Sequence, residues 1–141
     1  MRRYLNAAIT YSIIAMVSGV FYRELTKYTY FTEQTSLSSM HGHYFTLGLF
    51  FFLFLLILEK QFGWSSLPKS KGFITIYHIG LNITGLGFLI RGFTEVMDIA
   101  MSKGLNASIS GIAGMGHILI AVSMIGILLR VKKSLGISER V

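Results

Sequence analysis

The sequence predicts an all-α integral membrane protein, a four-helix bundle forming a single domain over residues 1–141. Three observations carry this. Hydrophobic residues make up 52% of the chain and charged residues only 13%, where a soluble domain carries about 25% charged residues. The apolar residues gather into four stretches, each near the roughly 20 residues a helix needs to cross the hydrocarbon core. Those stretches are too long for strands and do not alternate. Such a composition excludes a soluble enzyme and a disordered tail. The absence of cysteine excludes disulfides, thiolate metal sites, iron–sulfur clusters and thiol nucleophiles.

The first helix is expected over residues 5–22. The arginines Arg2 and Arg3 before it suit a signal peptide, but the run is long for one and no A-x-A-like site follows. It reads as a retained helix. The second is expected over residues 39–58, where residues 47–58 are apolar throughout except Gly48. Its Phe50, Phe51, Phe52 and Phe54 read as lipid-facing or core packing. The third is expected over residues 73–90 and the fourth over residues 111–129. Each connector carries charges, and the second holds the only proline, Pro68. Small residues mark the faces where membrane helices approach one another: Ala15 and Gly19 on the first helix, Gly80, Gly85 and Gly87 on the third, and Ser110, Gly111, Gly114 and Gly116 on the fourth.

The basic residues set an orientation. Arg2, Arg3, Lys60, Lys69, Lys71, Arg130, Lys132, Lys133 and Arg140 fall on one side, and Arg23, Lys27, Arg91 and Lys103 on the other. The first side is expected to be cytoplasmic, with both termini inside a multi-pass protein of the cell membrane. The net charge of +7 then reports topology and contact with anionic inner-leaflet lipid, and needs no nucleic acid.

Ionisable groups inside a bilayer are costly and are therefore functional suspects. All four histidines, His41, His43, His78 and His117, fall in or at the expected helices. With a rise of about 1.5 Å per residue, His43 lies about 24 Å and His117 about 20 Å above the inner ends of their helices, and His78 only about 9 Å. His43 and His117 thus share a level in the outer half. His41 and His43, two residues apart, point to different sides of their helix.

Two histidines from different helices at one depth can clamp a haem iron from both faces. Leu47, Phe50, Met115 and Leu119 are candidate walls. Arg23 and Arg91, at the outer ends of their helices, are candidates for the propionates, because the guanidinium fork matches a carboxylate. His41 is the substitute for His43. His78 reads as a structural histidine, with Asn82 on the same face and Asn6, Thr10 and Tyr11 at similar depth.

The runs Gly19-Val20-Phe21-Tyr22-Arg23-Glu24-Leu25-Thr26-Lys27, Leu37-Ser38-Ser39-Met40-His41-Gly42-His43, Leu47-Gly48, Tyr77-His78-Ile79-Gly80-Leu81, Arg91-Gly92 and Gly114-Met115-Gly116-His117 carry a family likeness. Over roughly residues 4–130 the chain resembles the DUF2871 family of small bacterial four-helix membrane proteins, whose function is unknown. The His-x-His at the head of the second helix is also similar to subunit I of haem-copper oxidases, where a histidine early in the second helix ligates a low-spin haem. This resemblance implies haem binding by His41 or His43, and the family pattern implies a structural role for His78. The chain lacks the later oxidase helices that hold the high-spin haem and copper, which argues against oxygen reduction by this chain alone.

Three functions stay open. The leading expectation is a haem b-binding protein serving electron transfer or haem or gas sensing, with His43 and His117 (or His41) on the iron. The second is a zinc or copper site built from His41, His43 and His117 with Glu24 or Glu33. The third is a cofactor-free assembly subunit of a larger membrane complex. No Ser/His/Asp spacing, paired carboxylates or phosphate-binding glycine loop points to a hydrolytic enzyme. The partners expected are membrane lipid, a second copy of the chain in a homodimer, and a redox partner or quinone.

Overall fold

The computed structural model describes residues 1–138. Arg140, counted above with the basic side, lies outside the described residues. Four helices follow one another: α1 (Arg2–Tyr28), α2 (Leu37–Phe62), α3 (Ser70–Val96) and α4 (Lys103–Ser138). All four are long and apolar enough to cross a membrane, and there is no strand among the described residues. Each runs well past the apolar stretch that predicts it. Hydropathy marks the part that suits hydrocarbon, whereas the backbone ladder continues through polar ends until a turn residue stops it. Gly63, with φ of +55°, closes α2 in the left-handed conformation, where a side chain is disfavoured. A 3₁₀ turn at Trp64–Ser66 follows, and Lys69, also left-handed, precedes α3.

The start of α1, the α2–α3 turn and the end of α4 meet at one end of the bundle. Tyr4 packs on the fully buried Trp64 with ring centres 5.8 Å apart, and the Arg130 guanidinium lies over the Phe73 ring. This end also carries Arg2, Arg3, Lys60, Lys69 and Lys71, and is called the basic end below.

The core is a stripe along α1, Tyr4, Ala8, Tyr11 and Ala15, packed on Tyr44, Phe52 and Leu55 of α2 and on Tyr77 and Leu81 of α3. α3 and α4 form the closest pair. A Cβ at Gly80 would stand 2.8 Å from the Gly116 carbonyl oxygen, and one at Gly116 3.0 Å from that of Gly80, so the two backbones touch only because both positions are glycine. Large apolar side chains also cover the outside, among them Ile13, Val17, Ile112 and Ile125. Water does not tolerate so extensive an apolar surface, and lipid requires it.

α2 is not α-helical throughout. Tyr44–Phe50 is a π-helical segment, a form that is rare and usually short. Two packing features hold it. Gly48 has no Cβ, which leaves room for the Tyr11 side chain directly against the helix. The Tyr77 hydroxyl donates to the Leu47 carbonyl at 2.9 Å, supplying a partner in a region where water is absent.

Candidate functional site

The head of α2 is fixed from α3. The Glu95 carboxylate accepts from the Ser36 N–H at 2.7 Å, from the Ser36 hydroxyl at 3.0 Å and from the Thr35 hydroxyl at 2.9 Å. A carboxylate at this point meets free N–H groups and the positive end of the helix dipole. Gly92 lies directly beneath the Leu37 backbone. These contacts set the rotation of α2 before His41 and His43 emerge from it.

The two histidines diverge, as their spacing requires. His41 faces α1: a Cβ at Gly19 would stand 3.7 Å from the His41 Cβ. Its Nδ1 is buried without a hydrogen-bond partner. His43 faces the other way. Its ring centre is 4.6 Å from that of Phe88 on α3 and 6.0 Å from that of His117 on α4, with the imidazole planes at 88°.

Both rings of this pair are held alike. Nδ1 of His43 donates to the Ser39 carbonyl and Nδ1 of His117 to the Ala113 carbonyl, each at 2.9 Å and each one turn back on its own helix. A carbonyl only accepts, so Nδ1 carries the proton, and in the neutral ring Nε2 is left with a bare lone pair. This is the ligating tautomer, and the Nδ1–H···O=C bond is the usual support behind a metal-bound histidine. Two imidazoles sharing one metal, with about 2 Å to each nitrogen and ring radii of about 1.1 Å, hold their centres roughly 6 Å apart. The observed 6.0 Å is compatible with that distance, as it is with two rings in edge contact. His43 with Gly42, Thr46 and Leu47 lines a surface cleft of 320 Å³. Nothing lies within 4 Å of where a Cβ would stand at Gly42, Gly111 or Gly114. Helix glycines cost about 0.5–1 kcal/mol each against alanine, and no neighbour within the chain explains these three. Of the three, Gly42 lines the cleft beside His43.

The arginines separate. Nη2 of Arg91 donates to Oδ1 of Asn106 at 2.9 Å and to the Ser110 hydroxyl. Arg91 follows Phe88 by one turn on α3. Ser110 precedes His117 by two turns on α4, about 10 Å of rise. Arg91 therefore sits over the His43–His117 pair, on the side away from the basic end. Arg23 pairs with Glu24 at 3.3 Å in an exposed position, and no described contact brings it to the pair.

The candidate walls divide in the same way. Leu47 lines the cleft beside His43, and Leu119 packs where α3 and α4 touch at Gly80. Phe50 and Met115 are mostly exposed and face outward. Sequence reasoning missed Phe88, whose ring touches His43 and stands 6.2 Å from His117. Its i, i+3 relation to Arg91 was the available signal. No group of three or more His, Cys, Asp or Glu side chains gathers at one point among the described residues.

His78 lies apart, in a hydrogen-bonded cluster. Its Nδ1 is 2.6 Å from the Tyr11 hydroxyl, and its ring stacks on Phe52 at 4.7 Å. Asn82 donates to the Tyr11 hydroxyl at 3.0 Å and to the His78 carbonyl at 2.8 Å, and the Tyr44 hydroxyl donates to Asn82 Oδ1 at 3.4 Å. Of the polar residues expected near His78, Asn82 and Tyr11 join the cluster, and no described hydrogen bond joins Asn6 or Thr10 to it.

A family model described as a protein of unknown function (DUF2871) matches residues 1–134. Comparison with curated proteins and with solved structures finds no match.

Proposed function

The chain belongs to the DUF2871 family, and we propose that it is a haem b-binding protein of the bacterial plasma membrane that carries electrons. The observation behind this reading is the His43–His117 pair. The two imidazoles come from different helices, stand 6.0 Å apart and are each held through Nδ1 by their own backbone. His43 and His117 would hold the iron. Arg91 is the better placed of the two arginines for a propionate, and exchanging its Asn106 and Ser110 contacts for a carboxylate costs it no charge partner. Arg23 would have to leave Glu24. Phe88, Leu47 and the open positions at Gly42 and Gly114 would border the macrocycle, and Phe88 must turn aside to admit it. His41 faces α1, so His43 is the ligand we assign on α2.

A bound haem supplies a one-electron ferric/ferrous couple. With both His43 and His117 on the iron no position would stay open there, which would favour electron transfer over gas sensing or chemistry at the iron. A pair of histidines suits a metal that brings its own equatorial ligands better than it suits zinc or copper, which ask for a third or fourth protein donor. By the excess of lysine and arginine, the basic end is the cytoplasmic one.

The test is the visible spectrum of detergent-purified protein, oxidised and reduced. Low-spin haem gives a strong Soret band with sharp reduced α and β bands. His117→Ala and His43→Ala should each abolish that spectrum or convert it to a high-spin one, while His41→Ala leaves it in place. A wild-type protein without a Soret band after haem is added back, or a His117→Ala protein with an unchanged spectrum, refutes the assignment.

A further inference from the structure

The end of α1 that lies away from the basic end carries a cleft that plays no part in the reading above. Glu24, Lys27, Tyr28 and Tyr30 line it, and its volume is 560 Å³. Its depth follows from the length of the helix. α1 has 27 residues and spans about 40 Å, while the hydrocarbon core is about 30 Å thick. With Arg2 and Arg3 at the basic surface, the last turn of α1 emerges among the lipid headgroups of the opposite side.

Two features set this cleft apart from an ordinary helix end. The first is Tyr30. α1 closes with the Phe31 N–H donating to the Thr26 carbonyl at 2.9 Å and the Tyr30 N–H to that of Lys27 at 3.4 Å. In this motif the residue after the cap is left-handed and is usually glycine. Here it is Tyr30, with φ of +55°, a conformation that strains a bulky side chain. The ring adds nothing to the packing of the chain, because Tyr30 is 91% exposed. At the end of α3 the same position holds Asp98, a residue that adopts this conformation more readily. The second feature is the charge pair. Glu24 and Lys27, at i and i+3, are neighbours on the helix surface. Among the described residues no ion pair joins them, and Glu24 pairs with Arg23 through Oε1.

We infer that this cleft binds the headgroup of phosphatidylethanolamine, its phosphate on the Lys27 ammonium and its own ammonium between the Glu24 carboxylate and the rings of Tyr28 and Tyr30. Both signs of charge line the cleft, so a head carrying both signs matches it. A purely anionic head, such as that of phosphatidylglycerol, would leave Glu24 without a cation. A primary ammonium donates to a carboxylate, which a fully methylated choline head cannot do. Phosphate and ammonium are joined by a two-carbon bridge, a reach that suits side chains whose Cβ atoms lie about 5–6 Å apart. A tyrosine face attracts a cation, which gives the strained and exposed Tyr30 ring a role. Simple anchoring at the interface is already met by Tyr28. The depth of the cleft assigns the head to a lipid, and the claim does not rest on the haem reading.

Full-length protein in detergent, titrated with dioctanoyl phosphatidylethanolamine and followed by native mass spectrometry, should bind it saturably. The affinity should exceed that for the phosphatidylcholine and phosphatidylglycerol analogues about tenfold, the size of one charged hydrogen bond. Glu24→Gln should erase the preference over phosphatidylcholine. Lys27→Gln should weaken the binding of both about tenfold. Tyr30→Gly should weaken phosphatidylethanolamine binding about threefold, the size of one exposed cation–π contact. The same variant should raise the thermal midpoint, because glycine accepts the left-handed conformation without strain. Equal affinity for the three lipids, a preference that survives Glu24→Gln, or a lower midpoint in Tyr30→Gly overturns the proposal. So does displacement of the lipid by an equal concentration of free phosphoethanolamine, which would assign the cleft to a soluble ligand.

Discussion

Tyr77 shows how one hydroxyl lets a membrane helix leave regular geometry. The π-helical segment of α2 disturbs the backbone ladder, and the Tyr77 hydroxyl reaches the Leu47 carbonyl at 2.9 Å. Tyr77→Phe keeps the ring that stacks on Phe51 at 4.2 Å and removes only this bond. We expect a loss of about 1 kcal/mol, the usual net worth of a hydrogen bond, read as a lower thermal midpoint in detergent with helix content unchanged. At this scale the sequence was partly legible. Counting helical rise put His43 and His117 at one level because rise per residue is fixed. Phe88, which lies against His43, was invisible to that count, since its position depends on how α3 is turned towards α2.

At the scale of elements, the head of α2 is the joint on which the candidate site depends. Three donors from Thr35 and Ser36 converge on Glu95, so one carboxylate of α3 sets where α2 begins and how it is rotated. Glu95→Ala should cost about 1–2 kcal/mol, as for loss of a helix cap, and should speed haem loss from the reconstituted protein. A haem dissociation rate equal to wild type would show that the rotation of α2 is held elsewhere. The sequence identified the helices but placed their ends inside the true ones. Glu95 was legible as a charge in a connector, whereas it lies in the last turn of α3 and serves as a cap. The small residues divided too. Gly80, Gly85, Gly87 and Gly116 sit at contacts, while Gly111 and Gly114 face open space. The pattern of small residues marks a close approach without saying which side of the helix makes it.

For the whole molecule, the surface is apolar around its sides and basic at one end. Tyr4, Trp64 and Phe73 pack there beneath Arg3 and Arg130. If that end is cytoplasmic, a reporter active only in the cytoplasm should work when fused after residue 141 or inserted at the Gly63–Lys69 turn, and fail when inserted between α3 and α4. The reverse pattern would invert the orientation and put the His43–His117 pair in the cytoplasmic half.

The sequence by itself determined that the chain makes four membrane-sized helices, because only helices satisfy the backbone of apolar segments this long. It also determined which end is basic and the levels of the histidines along their helices. The tertiary structure alone decided which way each helix is turned. It set His43 towards α4 and His41 towards α1, and joined Tyr11 to His78. The reason is physical. In a soluble protein the apolar stripe of a helix points to the core, but here both the core and the surroundings are apolar, so hydropathy cannot tell inside from outside. Rotation is fixed instead by close fits, such as Tyr11 on Gly48 and Gly80 on Gly116, which exist only once the helices have met.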